Sequence, residues 1–155
     1  MPENYVLQQW QRLQSSALGR WLFSRIISFK APYFASISAR FLRLQPWYAE
    51  VSVRKRRRVC NHIGTVHAIA MVNACELAAG VMMEASLPST LRWIPKGMQL
   101  DYVSKAEGSI RATAQCAPVM QTDAADVPVN CVVTDAKDKV VVNAVITMYV
   151  SPRKH

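Results

Sequence analysis

The sequence lacks the patterns that mark several common functional classes. Its four cysteines form no CxxC pair, and no His/Cys spacing suggests zinc, so we expect reduced thiols and no bound metal. No GxSxG or P-loop motif is present, which leaves no sign of a serine hydrolase or an NTPase. A recognisable nucleic-acid-binding motif is also missing, and we therefore expect no nucleic-acid partner.

Targeting and membrane-spanning segments are missing as well. No uncharged apolar run reaches the roughly 18 residues of a membrane span, so we expect no integral membrane association. The first residues, MPENYVLQQW, carry Glu3 and no basic n-region, so a signal peptide is not expected. Together with reduced cysteines, this pattern predicts a cytoplasmic protein.

Acidic residues are scarce: 10 Asp and Glu stand against 19 Lys and Arg, for a formal net charge of +9. Such a charge favours an anionic partner, which could be nucleic acid, an acidic lipid surface or a phosphate-bearing small molecule. The sign of the charge does not choose among them. At 155 residues with 51% hydrophobic composition, the chain is predicted to be one folded domain over residues 1–155.

The N-terminal 30 residues are predicted to form a helical cap. Residues 3–15 and 20–29 have near-helical apolar spacing, and Gly19 is interpreted as a break between two helices. The second helix has an apolar set, which consists of Trp21, Leu22, Ile26 and Phe29. We expect this helix to pack on the domain. The alternative is a basic, aromatic face that lies on a membrane or lines an acyl channel.

A basic run follows the next predicted element. Residues 48–59, YAEVSVRKRRRV, have the alternation of a strand. On a strand, successive side chains point to opposite faces, so Arg54, Arg56 and Arg58 are expected to share one face, with Lys55 and Arg57 on the other. These arginines are either a solvated strand end or an anion-binding group.

The stretch from Val59 to Glu84, VCNHIGTVHAIAMVNACELAAGVMME, organises the chain. A polar turn containing Gly64 leads into a long run rich in Ala, Met and Leu, which predicts a helix that is apolar on most of its circumference. Such a helix is buried on most sides. Its polar and small residues follow helical spacing in one narrow stripe, which consists of Asn73, Glu76, Gly80 and Glu84.

Four β-like segments complete the chain: 91–103, 108–117, 127–134 and 140–150. Pro95 lies inside the first of them and predicts either a sheet edge or a bulge. Residues 135–138 are predicted to form a hairpin loop. One buried helix beside a long antiparallel meander predicts an α+β fold whose sheet curls around the helix.

The pattern Asn61-x-x-Gly64-x-x-His67, followed by an apolar helix with an acid nine residues after the histidine, resembles hotdog-fold thioesterases of the phenylacetyl-CoA thioesterase-like group. The resemblance covers roughly residues 40–150, which would be the hotdog core behind a cap over residues 1–30. The stretch from Phe29 through Arg58, together with residues 62–68, looks closer still to a bacterial branch of that superfamily known mainly as uncharacterised thioesterases.

The resemblance implies roles for particular residues. Asn61 and the N–H of Ala68 would bind the thioester carbonyl, with Gly64 and His67 positioning the loop, and Glu76 would be the nucleophile or general base. The chain has His67-Ala68-Ile69 where the family usually has His-Gly-Gly, and Glu where it usually has Asp. Candidates for contacting the CoA phosphates are Arg54, Arg56, Arg57 and Arg58.

The resemblance further implies an acyl-CoA or acyl-carrier-protein thioesterase that needs no cofactor beyond the CoA of its substrate. Family members pair strands across a homodimer or a dimer of dimers, and the segment 91–103 is our candidate for that pairing. Alternatives are a non-catalytic acyl-CoA or fatty-acid binding protein, a dehydratase of the same fold, and a nucleic-acid binder. Taken singly, Asn61 could be a turn residue, His67 a structural residue and Glu76 part of a solvated stripe.

Overall fold

The computed structural model describes residues 4–120 and 123–153. Residues 1–3 of the predicted cap lie outside the described part, as do residues 121–122 and 154–155. The helices are α1 (Tyr5–Leu13), α2 (Ala17–Lys30) and α3 (Ala68–Ser86). The strands are β1 (Arg40–Gln45), β2 (Tyr48–Val53), β3 (Leu91–Tyr102), β4 (Ile110–Gln115), β5 (Ala125–Thr134) and β6 (Val140–Pro152). Two short 3₁₀ helices cover Pro32–Ser36 and Arg57–Val59.

The six strands form one antiparallel sheet in the order β1-β2-β4-β5-β6-β3, and α3 is its central helix. The helix contacts all six strands, most extensively β2 and β4. Its apolar residues supply much of the core, because 12 of its 19 residues are buried. The predicted α+β fold, with a sheet around one long helix, is therefore confirmed.

The length and hydropathy of α3 would also suit a membrane span, but 67% of that apolar window is buried inside the protein. Glu76 and Glu84 interrupt its apolar sequence. The apolar circumference of α3 is thus covered by this chain's own strands, as in the core helix of a globular domain.

Strand β3 lies at one edge of the sheet, as Pro95 predicted. It pairs only with β6, and the register shifts between Pro95 and Gly97. Proline has no N–H to donate to a neighbouring strand, so both the edge position and the bulge accommodate it. Along the other side of β3, the backbone is open to pairing with another chain.

The two N-terminal helices pack on the domain through an aromatic cluster. Trp10 of α1, Phe23 of α2 and Phe41 of β1 are each buried, with ring centroids 5.1 to 6.4 Å apart in edge-to-face contacts. Edge-to-face packing places the positive ring edge against the negative face of a neighbour. This cluster fastens the helical cap to the first strand.

Two expectations for α2 were wrong. Gly19 does not separate the helices but lies inside the first turn of α2, where a Cβ atom would stand 2.0 Å from the carbonyl oxygen of Leu13. Glycine is therefore needed for the close approach of α1. The helix also buries Phe23 with Ser24 and Ser28, whereas its larger apolar set is exposed, namely Trp21, Leu22, Ile26 and Phe29.

The predicted strand over residues 48–59 is shorter than expected. Strand β2 ends at Val53, which pairs with Ile110 at the start of β4, so no further ladder partner is available. Beyond it the N–H of Lys55 donates to the hydroxyl of Ser109, and the chain turns into a 3₁₀ helix at Arg57. The predicted alternation therefore extends only to Arg56: Arg54 and Arg56 line one cavity, whereas Arg58 lies in the 3₁₀ helix and lines another.

The β5–β6 hairpin depends on a buried carboxylate. The oxygens of Asp135 accept the backbone N–H groups of Glu107, Lys137 and Lys139 at 2.9 to 3.1 Å. The bond from the Glu107 N–H is the main reason why the pKa of Asp135 lies below its ordinary value of 3.8. Because the folded-state pKa is lowered, this stabilisation is present above about pH 4 and is lost as the pH falls through the folded value.

We therefore expect Asp135→Asn to lower the thermal unfolding temperature at pH 7, because a carboxamide has one acceptor oxygen for three donors. The difference from wild type should shrink below about pH 4, where the wild-type carboxylate also becomes protonated. Thermal melts across that pH range would measure both effects. The exposed Asp101→Asn is the control, and a loss of similar size in that variant would contradict the role given to Asp135.

Candidate active site

A loop tied by Asn61 leads into α3. The side-chain oxygen of Asn61 accepts the N–H groups of Ile63 and Thr65, both at 3.1 Å, and its amide nitrogen donates to the Thr65 hydroxyl at 2.8 Å. Gly64 adopts a left-handed conformation with φ of +78°, which a side chain would strain. Asn61 therefore holds the loop, and one amide N–H remains for another acceptor.

The loop ends at His67, which is the N-cap of α3. Its Nδ1 atom accepts the N–H of Ile69 at 3.0 Å, and the backbone N–H of His67 donates to the carbonyl of Val59 at 2.8 Å. A neutral ring that accepts at Nδ1 carries its proton on Nε2. His67 thus fixes the direction of the helix start, which is a positioning role.

The first N–H of α3 is unpaired. Within the described ranges the N–H groups of Ala68 and Ala70 have no acceptor, whereas the Ile69 N–H is capped by His67 and the Met71 N–H donates to the His67 carbonyl. The first turn of a helix presents such N–H groups together with the positive end of the helix dipole. The start of α3 can therefore stabilise a negative charge or polarise a carbonyl.

A cleft of about 190 Å³ lies beside this helix start. Its lining includes His67, Ile69 and Asn73 of α3, with Arg58 and Tyr33 on the opposite elements. The Asn73 amide nitrogen donates to the Ser36 hydroxyl at 3.2 Å, and its buried oxygen has no partner among the described residues. We expected Asn73 only as part of the polar stripe, so its place in the cleft is new. The sequence signal that could have indicated this position is the spacing of three residues between Asn73 and Glu76, which places both side chains on one face of the helix.

Glu76 lies one turn beyond Asn73 on the same stripe and is half-buried. It makes no hydrogen bond or ion pair within residues 4–120 and 123–153, and it does not line the cleft. Ala68 and Glu76 are eight positions apart, which corresponds to a rise of about 12 Å along a helix. One chain therefore does not bring the Glu76 carboxylate to a carbonyl held at the Ala68 N–H.

The rest of the stripe has a packing function. A Cβ at Gly80 would approach the Trp93 ring to 2.9 Å, so the small residue admits this ring of β3 against the helix. The Trp93 indole N–H donates to the Glu84 carboxylate at 2.9 Å. Glu84 is thereby paired, and Glu76 is the carboxylate of the stripe that has no partner in the described chain.

The four arginine candidates do not lie together. Arg58 lines the cleft at the start of α3, whereas Arg54 and Arg56 line a separate cavity between α2 and the start of the sheet. Arg57 lines neither. The Arg56 guanidinium donates to the Ile37 carbonyl at 3.2 Å, in the segment that separates the two cavities. A shared phosphate site for all four is therefore not formed.

Comparison with known proteins places this geometry in a family. A family model described as "Domain of unknown function (DUF4442)" matches residues 19–150. The chain belongs to the DUF4442 family. The match runs from Gly19 to Val150 and so includes most of α2, α3, strands β1 to β5 and most of β6. No match was found among the curated proteins.

Solved structures share the fold of this DUF4442 protein. A structural-genomics protein, APC5556, is 47% identical, with a TM-score of 0.83 and coverage of 96% of this chain and 99% of that chain. A probable thioesterase from Pseudomonas aeruginosa is 22% identical (TM-score 0.77; 84% and 93% covered). A hypothetical thioesterase from Streptococcus pneumoniae, solved with coenzyme A, is 13% identical (TM-score 0.68; 84% and 98% covered).

These similarities, to proteins described as thioesterases that are 11 to 22% identical to this chain, confirm the predicted hotdog fold. The phenylacetyl-CoA subgroup remains a prediction, as do the roles of Asn61, Gly64, His67, Ala68 and Glu76. Within the part of the chain that the structure describes, no three His, Cys, Asp or Glu side chains are grouped as metal ligands.

Proposed function

We propose that this protein is a thioesterase that hydrolyses an acyl-CoA or acyl-carrier-protein thioester at the start of α3. The observation that carries the proposal is the unpaired Ala68 N–H at the dipole end of a buried helix, next to a cleft lined by His67 and Asn73. An N–H fixed in this position is poised to bind a thioester carbonyl, and binds it more strongly as the oxygen becomes an oxyanion.

Hydrolysis of a thioester requires few catalytic groups. The thiol of the leaving group has a pKa of about 8.5, so the thiolate departs without strong acid assistance. The protein must polarise the carbonyl and supply a nucleophile or an activated water. In this proposal the Ala68 N–H and the remaining Asn61 N–H polarise the carbonyl. Glu76 either attacks the carbonyl carbon or removes a proton from the attacking water.

A complete site on this scheme needs two copies of the chain. Ala68 and Glu76 are separated by about 12 Å along one helix, and a glutamate side chain spans less than half of that. A second copy, paired along the open edge of β3, would supply the Glu76 that faces the first copy's Ala68. The 190 Å³ cleft is also smaller than the roughly 300 Å³ of typical ligand pockets, so a partner would enlarge it.

The remaining binding elements follow from the cleft. Arg58 is the arginine candidate that lines it, so we assign Arg58 the contact with a phosphate of CoA. Roles for Arg54, Arg56 and Arg57 in CoA binding remain predictions. Support for a CoA substrate comes from the Streptococcus pneumoniae structure, which contains coenzyme A on the same fold.

A second candidate function is acyl-CoA or fatty-acid binding without hydrolysis. The absence of Glu76 from the lining of the cleft in a single chain favours this alternative, because a ligand there would lie beyond its reach.

The test is thiol release by the wild-type protein from a panel of short, medium, long and aryl acyl-CoAs. Turnover of at least one thioester above the uncatalysed rate supports the thioesterase. If every substrate is bound but none is hydrolysed, the protein is a binder. If none is bound or hydrolysed, the CoA thioester is not the substrate, and acyl-carrier-protein thioesters are tested next.

A further inference from the structure

The outer face of α2 is an exposed apolar surface. Leu18, Leu22, Ile26 and Phe29 are 42 to 88% exposed, and they recur at helical spacing along one side of this 14-residue helix. Trp21, at 44% exposure, borders the same face. Each of these side chains would normally be buried in a globular protein, so a row of five indicates a surface that contacts another apolar phase.

Beside this face lies a cavity of about 390 Å³ that is surrounded by positive charge. Its charged lining consists of Arg25, Arg40, Arg54 and Arg56. No acidic residue lines it, and none of these four arginines has an ion pair within the described residues. Four uncompensated guanidinium groups repel one another, and an anion bound among them relieves that repulsion.

Two residues join the apolar face to the arginine cavity. Trp21 and Arg25 of α2 line the cavity and also belong to the exposed side of the helix. Ser38 and Ser52 line the sheet side of the cavity, and their hydroxyls donate to the carbonyls of Ala35 and Arg40. An amphiphile with a phosphate next to a hydrocarbon chain would satisfy both parts at once.

We infer that α2 and the arginine cavity form a docking surface for an anionic phospholipid membrane. The cavity receives a lipid phosphate, and the apolar face enters the boundary between headgroups and acyl chains with Trp21 at its border. The formal net charge of +9 favours the approach to such a surface. This is peripheral contact with the membrane and involves no spanning segment.

A second copy of the chain fits this surface less well. Symmetric pairing through α2 would bring two arginine cavities, each without an acidic residue, into the same interface. Like charges in a desolvated interface oppose association. Charge complementarity therefore favours an anionic lipid surface over self-association.

The experiment is sedimentation of the full chain with vesicles of phosphatidylcholine alone or of phosphatidylcholine and phosphatidylglycerol in a two-to-one ratio. We expect binding to the anionic vesicles only. Arg25→Gln/Arg40→Gln should weaken it about thirtyfold, since each basic residue near the surface contributes about fivefold. Leu22→Ser/Phe29→Ser should weaken it at least about tenfold. The control Lys105→Gln/Lys139→Gln removes the same charge from exposed positions outside the cavity, and should stay within about threefold of wild type.

Several results would overturn the inference. One is that the wild-type protein does not bind anionic vesicles. Another is that the lysine control loses as much vesicle binding as Arg25→Gln/Arg40→Gln, which would mean that binding depends only on net charge. If free coenzyme A or inorganic phosphate displaces the vesicles and needs Arg25, the cavity binds soluble phosphates. A change of oligomeric state in Leu22→Ser/Phe29→Ser, measured by light scattering, would make the α2 face an interface between copies.

Membrane docking is independent of the proposed hydrolysis. Arg25 and Arg40 have no role in the candidate active site, so their double variant should release thiol from a soluble short-chain acyl-CoA at the wild-type rate. Loss of vesicle binding with normal hydrolysis, or the reverse, separates the two proposals.

Discussion

Glu76→Gln is expected to lower kcat for thioester hydrolysis by about 10²–10⁴-fold, the range measured for loss of a positioned acid or base. Glutamine keeps the size of the side chain but removes the charge and the basic oxygens. Glu76 has no ion pair or hydrogen bond within the described ranges, so the substitution breaks no contact in the chain. KM and the thermal unfolding temperature should therefore stay near wild type.

The matched control is Glu84→Gln. Glu84 lies two turns further along the same stripe and is exposed, with a hydrogen bond to the Trp93 indole that glutamine can also accept. We expect its kcat within about threefold of wild type, as for a surface residue away from the reaction. An active protein in which Glu76→Gln retains full kcat would show that the assignment of Glu76 is wrong while hydrolysis itself stands.

Ala68→Pro is expected to lower kcat by about 10²–10³-fold, because it removes one of the two N–H donors, those of Ala68 and Asn61, that we assign to the oxyanion. Proline is well tolerated at the first position of a helix, where the N–H has no partner in the helix. It also requires an extended residue before it, and His67 has φ −62° and ψ 139°. The substitution thus deletes a donor without deforming α3.

Ala17→Pro is the control for Ala68→Pro. Ala17 is the first residue of α2, and Ser16 before it has φ −123° and ψ 154°, so the backbone requirement is met there as well. This variant should have wild-type kcat. Circular dichroism and thermal melts of both variants check that each helix persists. Equal losses of activity in both proline variants would mean that the effect is not specific to the start of α3.

The two active-site variants together test whether the site is shared between copies. If Ala68 and Glu76 act across an interface, mixed dimers of Ala68→Pro and Glu76→Gln contain one intact site and one doubly defective site. Equal coexpression should then recover about a quarter of wild-type activity from two inactive parents. If a verified mixed dimer recovers no activity, both groups act within the same copy. That result would contradict the inference that a separation of about 12 Å along one helix is too long.

The sequence alone determined the central helix and the edge of the sheet. The stretch from Asn73 to Glu84 has so few polar residues that it predicted a helix buried on most sides. In the structure the sheet surrounds this helix, α3. Pro95 has no backbone N–H to donate in any fold, so it predicted an edge strand or a bulge, and β3 has both. These features follow from local chemistry, which does not depend on the neighbours that the fold supplies.

Tertiary structure alone decided which partners each element has. Strand β2 stops at Val53 because β4 begins opposite it, and position 19 within α2 is a glycine because Leu13 approaches too closely for a side chain. The arginines separate into two cavities for the same reason, since the chain turns where the ladder ends. Periodicity indicates that a helix has an apolar face, but only its neighbours decide whether that face is covered. On α2 the described fold covers Phe23 and leaves Phe29 exposed.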